Sequence, residues 1–420
     1  MNVSLVVWGD TLGVSDGIEG IRGPVTVARQ CEDILETIAL VESGLADAVL
    51  LAGPSPDIDA HVADALLERG AVVVALADDP GERARLRDLG VTGESATASP
   101  QALADLFELS MSTAPEPSTG LRRGPDPTVE PATEPSSGQV IAVWGPTGAP
   151  GRTTFAVNYA VESALAGSAV ALVDADTFGA SVSVHLGLME ESAGIAQLCR
   201  LSDQGVLDRA SFERACPVLP VAGARIRVAT GLPRPQRWPE LRKSSLERVL
   251  SYLRTVVDVI VVDVAAFLEQ DEELSFDTAA PQRNAATLAV LENADEVIAV
   301  GQADAVGVPR MIKALEQLSE LLPDQLPRVI FNKMSRSALG PNPERQLRET
   351  WERFGPRTPI RGYLPWDAES TAAALLKGNA FAESSPDADL RVAIARLAGN
   401  DVTPRRNLFS RRRGGGVPQG

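Results

Sequence analysis

Short apolar runs alternate with stretches of helical spacing over the first hundred residues. SLVVWGD (4–10), PVTVARQ (24–30), DAVLLAG (47–53) and AVVVALAD (71–78) predict strands, each rich in Val, Leu or Ala and bounded by Gly, Pro or Asp. Between them, residues 32–44, 59–70 and 79–90 place apolar side chains at helical spacing. Alternation of this kind predicts a parallel sheet with helices on both faces. The pattern stops at 110–138, where six prolines stand among Ser, Thr, Gly and Glu. A segment with so few large apolar side chains predicts a flexible, disordered tether. From QVIAVWG (139–145) the pattern resumes, followed by a helix over 152–167 with Ala156, Val157, Ala160, Val161 and Ala164 on one face. VALVDAD (170–176), VVDVIVVDVAA (256–266) and RVIFNKM (328–334) predict further buried strands. The expected architecture is α/β throughout: an N-terminal domain over 1–109, a linker over 110–138, a larger domain with a mostly parallel sheet over 139–400, and a basic tail over 401–420.

Charge adds function. The chain has 420 residues, 39 Lys and Arg against 56 Asp and Glu, and a formal charge of −17. Such a balance argues against a protein that coats nucleic acid, which needs positive surface. Residues 1–110 carry 19 acidic and 6 basic side chains, whereas 391–420 carry seven Arg against Asp401. The two ends are therefore expected to meet different partners. Cys31, Cys199 and Cys216 are odd in number and far apart, which argues against a disulfide framework and fits a reducing cytoplasm, and Cys199 and Cys216 are expected as core thiols. No apolar run reaches the roughly 20 residues of a membrane span. His61 and His185 are too few for a histidine metal site, and His185 is assigned no role.

Candidate chemistry concentrates at Pro146-Thr147-Gly148-Ala149-Pro150-Gly151-Arg152-Thr153-Thr154. A strand, a glycine-containing loop and a helix N-terminus form an anion site, because backbone N–H groups and the helix dipole converge there. Laid over G-x-x-x-x-G-K-[ST], the loop has Pro146 for the first Gly, keeps Gly151, has Arg152 for Lys and keeps Thr153. Taken alone, each element also fits a structural role: Gly151 to Thr154 a capped turn, Asp263 a strand end, Asp174 and Asp176 a turn. In order, however, the loop is followed by Asp174-Ala175-Asp176, Asp263, Asn332-Lys333 and Pro365-Trp366-Asp367. This ordered set resembles the MinD/ParA branch of P-loop ATPases, the deviant Walker group, over roughly 139–400.

The resemblance implies ATP and Mg²⁺ as cofactors. It implies a phosphate cradle of Gly148, Ala149, Gly151, Arg152, Thr153 and Thr154, and an Mg²⁺ shell that includes Thr153 and Asp263. Asp174 and Asp176 fall where the family keeps catalytic switch carboxylates, and Asn332, Pro365 and Asp367 where it meets adenine. Three departures point to weakened chemistry. Thr147 replaces the family's signature Lys, Pro150 lacks an N–H, and Arg152 substitutes a planar fork for a point charge.

Residues 1–109 resemble a receiver domain in layout alone. Asp10 can be half of an acidic pair, but the third strand ends in Ala52-Gly53-Pro54 and 91–97 has no Lys. A pseudo-receiver that docks protein partners is expected. Together with the linker and P-loop domain it resembles the CpaE/TadZ group of Flp/Tad pilus assembly and the septum-site-determining relatives. That resemblance implies a localisation switch with a nucleotide-dependent homodimer. Arg405, Arg406, Arg411, Arg412 and Arg413 around Leu408-Phe409 predict a weak contact with anionic membrane through 404–413. Two alternatives stay open: a nucleotide-independent scaffold and a DNA-partitioning ATPase. The acidic run 267–277 is expected as a solvated face, and 230–243 as an ordered surface loop.

Overall fold

The computed structural model describes residues 3–10, 13–53, 58–113, 138–188, 193–270 and 282–402. Of the expected tether, residues 114–137 lie outside them, as do the basic tail beyond 402 and the acidic run from 271 onward. The chain divides into two compact units, the first comprising residues 1–134 with 200–211 and the second residues 135–199 with 212–420.

In the first unit, β1 (Val3–Trp8), β2 (Val25–Cys31), β3 (Ala48–Leu51), β4 (Val72–Leu76) and β5 (Thr92–Glu94) form a parallel sheet in the order β2-β1-β3-β4-β5. The connections are α1 (Val14–Glu19), α2 (Ile34–Glu42), α3 (Ala60–Leu67) and α4 (Pro80–Asp88), with α5 (Pro100–Thr113) closing the unit four residues beyond the expected boundary. Alternation along β1 explains the layers. Val6 and Trp8 join one buried cluster with α2 and α3, while Val3, Leu5 and Val7 join the other with α1 and α5. Several acidic residues have structural work: Asp33, Asp59 and Asp79 accept backbone N–H groups at the starts of α2, α3 and α4. An N-cap of this kind contributes about 1 kcal/mol, so part of the negative charge supports the fold.

The second unit is built on eight strands: β6 (Gln139–Trp144), β7 (Val170–Ala175), β8 (Val218–Val221), β9 (Ala224–Ala229), β10 (Val259–Val264), β11 (Glu296–Gln302), β12 (Arg328–Met334) and β13 (Ile360–Pro365). Their order is β13-β12-β11-β6-β10-β7-β9-β8, parallel except for the edge pair β8 and β9. The helices are α6 (Arg152–Leu165), α7 (Val182–His185), α8 (Gly194–Asp203), α9 (Arg209–Ala215), α10 (Lys243–Val256), α11 (Ala285–Asn293), α12 (Gly307–Leu321), α13 (Arg336–Leu339), α14 (Pro343–Phe354), α15 (Ala368–Lys377), α16 (Phe381–Ser384) and α17 (Asp389–Leu397). Of these, α6 covers one face of the sheet together with α17, and α10 with α11 the other.

Helix α6 is buried over most of its length, and its polar residues are matched accordingly. Asn158 accepts the Phe381 N–H at 2.7 Å, and the buried Glu162 carboxylate accepts from Arg391 Nε and Asn400 Nδ2, each at 2.7 Å. Removing one member of a buried pair leaves an uncompensated charge, at a cost of about 3–5 kcal/mol. Glu162→Ala is therefore expected to lower stability by that amount in urea unfolding, with Glu162→Gln losing less. Among the described residues no helix is long and apolar enough to cross a membrane.

Candidate functional site

Strand register assembles the site. Asp263 of β10 lies opposite Asp174 of β7 and Val143 of β6, so two carboxylates and the start of the loop after β6 meet at the carboxyl ends of three adjacent strands. In open α/β sheets this edge is where ligands bind. The loop from Gly145 to Gly151 turns through left-handed conformations at Gly148, Ala149 and Gly151 (φ 109°, 53° and 95°). At Gly151 a side chain would also collide with Asn332, whose Nδ2 lies 2.6 Å from where its Cβ would stand. Helix α6 begins at the next residue, so its free N–H groups face the loop.

Thr153 in the first turn of α6 donates its hydroxyl to Asp263 Oδ2 at 2.5 Å. Asp263 Oδ1 is buried and has no hydrogen-bond partner among the described residues. Asp174 Oδ2 accepts the N–H groups of Ser181 and Val182, each at 2.9 Å, and Asp176 Oδ1 accepts those of Phe178 and Gly179, each at 2.9 Å. Arg152 folds back over its own loop: Nη1 donates to the carbonyls of Gly145 at 2.8 Å and Pro146 at 3.1 Å, and Nη2 lies 3.6 Å from Asp176 Oδ2. The structure thus brings together Arg152, Thr153, Asp174, Asp176 and Asp263.

The remaining expected residues sit apart from these carboxylates. Thr154 Oγ1 lies 3.3 Å from His185 Nε2, which ties α7 to α6 and gives His185 a structural place. Asn332 is buried behind the loop and donates to the Pro150 carbonyl at 2.9 Å. Pro365 ends β13 beside Met334, and Asp367 accepts the Ser370 N–H as the N-cap of α15. Two basic side chains complete the loop's surroundings. Lys333 donates Nζ to the Ala149 carbonyl at 2.7 Å and lies 5.6 Å from the Trp366 ring centroid. Arg310 donates to the Thr147 carbonyl at 3.5 Å, and its guanidinium occupies the space a side chain at Gly148 would need. With Gln302 and Asp304 it lines a cavity of about 40 Å³ beside Pro146, Thr147 and Pro150. Lys333 stands in the Asn332-Lys333 motif without an assigned role; nothing in the sequence marked Arg310.

Burial governs the acid–base behaviour. It pushes Asp174 up to about 7, helped by the charge of Asp176 and opposed by its backbone N–H bonds. Burial, and then the neighbouring Asp174, raises Asp263 well above the usual carboxylate range. Both groups therefore hold protons in the folded chain where the unfolded chain has released them. The contribution of Asp174 to stability is complete below pH ~4 and is lost as pH rises toward about 7, at most about 1.4 kcal/mol per pH unit, and that of Asp263 has the same sign. Thermal melts without divalent ions are expected to show a lower midpoint at pH 8 than at pH 5, and Asp174→Asn is expected to reduce the difference.

The donors suit a hard cation beside phosphate. Thr153 Oγ1 and the unpartnered oxygen of Asp263 offer oxygen ligands, as Mg²⁺ requires. Among the described residues no three His, Cys, Asp or Glu side chains form a metal cage, so phosphate and water oxygens would have to complete the shell.

Comparison with known proteins agrees with this geometry. The family described as CobQ/CobB/MinD/ParA nucleotide binding domain matches residues 141–377. The antiactivator FleN of Pseudomonas aeruginosa is 28% identical over 262 residues, covering 62% of this chain and 85% of that protein. Among solved structures, a ParA family ATPase from Chlorobium tepidum has the same fold, with TM-score 0.51, 18% identity, and coverage of 62% of this chain and 98% of that one. The cell division ATPase MinD of Pyrococcus furiosus gives TM-score 0.48 at 18% identity, covering 62% and 97%. With more than half of its length matched to one family, and a parallel sheet carrying a phosphate-type loop at its central strand, the chain belongs to the CobQ/CobB/MinD/ParA nucleotide binding domain family.

Proposed function

We propose that this protein is an ATP-binding spatial switch of the MinD/ParA type, with weakened hydrolysis, that localises or recruits pilus, secretion or cell-division machinery. The observation that supports it most is the Thr153–Asp263 hydrogen bond with a buried, unpartnered carboxylate oxygen at the head of a left-handed loop. A carboxylate oxygen of this kind beside converging helix N–H groups suits a metal–phosphate pair. In this reading Thr153 and Asp263 hold Mg²⁺, and the amides of Gly148, Ala149, Gly151 and Arg152 with the first turn of α6 hold the phosphates. Mg²⁺ bound there neutralises phosphate charge. Asp176 is placed to orient water, while Lys333 and Trp366 stand on the side assigned to the base. Slow turnover follows from Pro150, which has no N–H to donate, and from Thr147, which carries no charge.

The first unit fits a receiver-like docking platform. Its strand order is that of flavodoxin-like folds, whose ligands sit between β1 and β3. Here the Trp8 ring packs at that point, 2.7 Å from where a Gly53 Cβ would stand. Asp10 is committed to the start of α1, accepting the N–H groups of Val14 and Ser15 and the Ser15 hydroxyl. Asp10 held in this way suits constitutive contact with a protein partner rather than phosphotransfer. FleN bears the name of an antiactivator, which favours a regulator acting on other proteins over a metabolic enzyme. The two-unit plan favours the CpaE/TadZ group among possible settings.

One observation favours a second reading, a nucleotide-independent scaffold: Arg152 already fills hydrogen bonds within its own loop. Sedimentation velocity separates the two. The switch is expected as a monomer without nucleotide or with ADP, and as a dimer with ATP and Mg²⁺. One sedimentation coefficient across all three conditions favours the scaffold.

A further inference from the structure

Arg283 holds together three stretches of chain at the mouth of the site. Its guanidinium carbon lies 3.9 Å from the Phe178 ring centroid and 5.4 Å from that of Trp238. Nη2 donates to the Thr177 carbonyl at 3.1 Å, and Nη1 to the Pro235 carbonyl at 3.5 Å. Phe178 is itself backed by Phe267, with ring centroids 4.5 Å apart, four residues beyond Asp263. The turn gripped in this way, Thr177-Phe178-Gly179, is the one whose N–H groups fix Asp176 Oδ1. The other oxygen of Asp176 faces Arg152. A continuous set of contacts therefore runs from Arg283 through the 177–179 turn and Asp176 to the cation of the phosphate loop.

We propose that Arg283 is a positioning residue of this site: by fixing the Thr177–Gly179 turn it keeps the Asp176 carboxylate on Arg152, and so restrains the affinity of the loop for nucleotide phosphate. The inference rests on the nucleotide-binding reading above. Its physical basis is competition. A phosphate can recruit Arg152 only by displacing the acceptors that already hold it, and Asp176 is the charged one among them. A planar guanidinium can stack on Phe178 while its edge donates to two carbonyls; an ammonium group offers no such fork. Arg283→Lys therefore keeps the charge and loses the grip.

Calorimetric titration of the full chain with ATP and Mg²⁺ tests this in wild type, Arg283→Lys, Asp176→Asn and the double variant. Arg283→Lys is expected to bind at least about threefold tighter than wild type, and to have no further effect when Asp176 is already Asn. Phe178→Leu, which removes the platform and leaves Arg283 in place, is expected to act in the same direction. A residue that merely stabilised the fold would weaken binding when changed. Unchanged or weaker binding by Arg283→Lys and Phe178→Leu, or an effect that persists in the Asp176→Asn background, overturns the role of Arg283 alone. Absence of saturable binding in wild type and every variant overturns the nucleotide reading itself, and this inference with it.

Discussion

Arg152→Ala is expected to lower the affinity for ATP and Mg²⁺ by roughly 10- to 100-fold, the equivalent of one charge-assisted hydrogen-bonding group worth about 1.5–3 kcal/mol. Within the loop Arg152 is the single basic side chain, because position 147 holds Thr. Its neighbours Lys333 and Arg310 donate to loop carbonyls, at Ala149 and Thr147, and support the loop from the side of its oxygens. Before it can meet a phosphate, Arg152 must release the Gly145 and Pro146 carbonyls and Asp176. The net effect is smaller than that of a free cation, but its sign is fixed. Arg152→Lys is expected to recover most of the loss, since the positive charge returns. Tighter binding by Arg152→Ala than by wild type would identify the guanidinium as a plug.

Asp263→Asn is expected to abolish the Mg²⁺ dependence of nucleotide binding while stabilising the protein without ligand at pH 8. The two effects have one cause. Asp263 is fully buried, raised by its own desolvation and by Asp174, and has an oxygen with no partner. A carboxylate kept in such surroundings is costly. An amide removes the charge and can still accept the Thr153 hydroxyl, yet it is a far weaker ligand for a hard cation. Affinity for ATP should then be the same with and without Mg²⁺, and the melting midpoint at pH 8 should rise. A lower midpoint together with intact Mg²⁺ dependence would exclude Asp263 as the metal ligand.

The central strands were legible because burial on both faces writes a continuous apolar run, as in Ile260-Val261-Val262 before Asp263. The family followed from the order of the loop and the acidic strand ends. Other features were hidden. In the edge pair β8 and β9, Pro220 interrupts a short apolar run, a break that an edge position tolerates, and the alternation Arg225-Ile226-Arg227-Val228 of β9 is too brief to stand out. Arg283 and Arg310 converge on the site from positions distant in sequence, and no local spacing encodes such a meeting. Asn332 was legible as a motif, whereas its burial against the Pro150 carbonyl depends on how β12 approaches the loop. The capping duty of Asp33, Asp59 and Asp79 is local chemistry; only their number drew notice, as excess charge.

Calorimetric titration of the wild-type chain with ATP, in Mg²⁺ and then in chelator, probes the loop at 145–153 most directly. Saturable heat that is stronger in Mg²⁺ is the result expected of a metal–phosphate site at Thr153 and Asp263. No saturable heat at millimolar ATP in either condition would contradict it, and would leave Arg152 as the permanent occupant of its own loop.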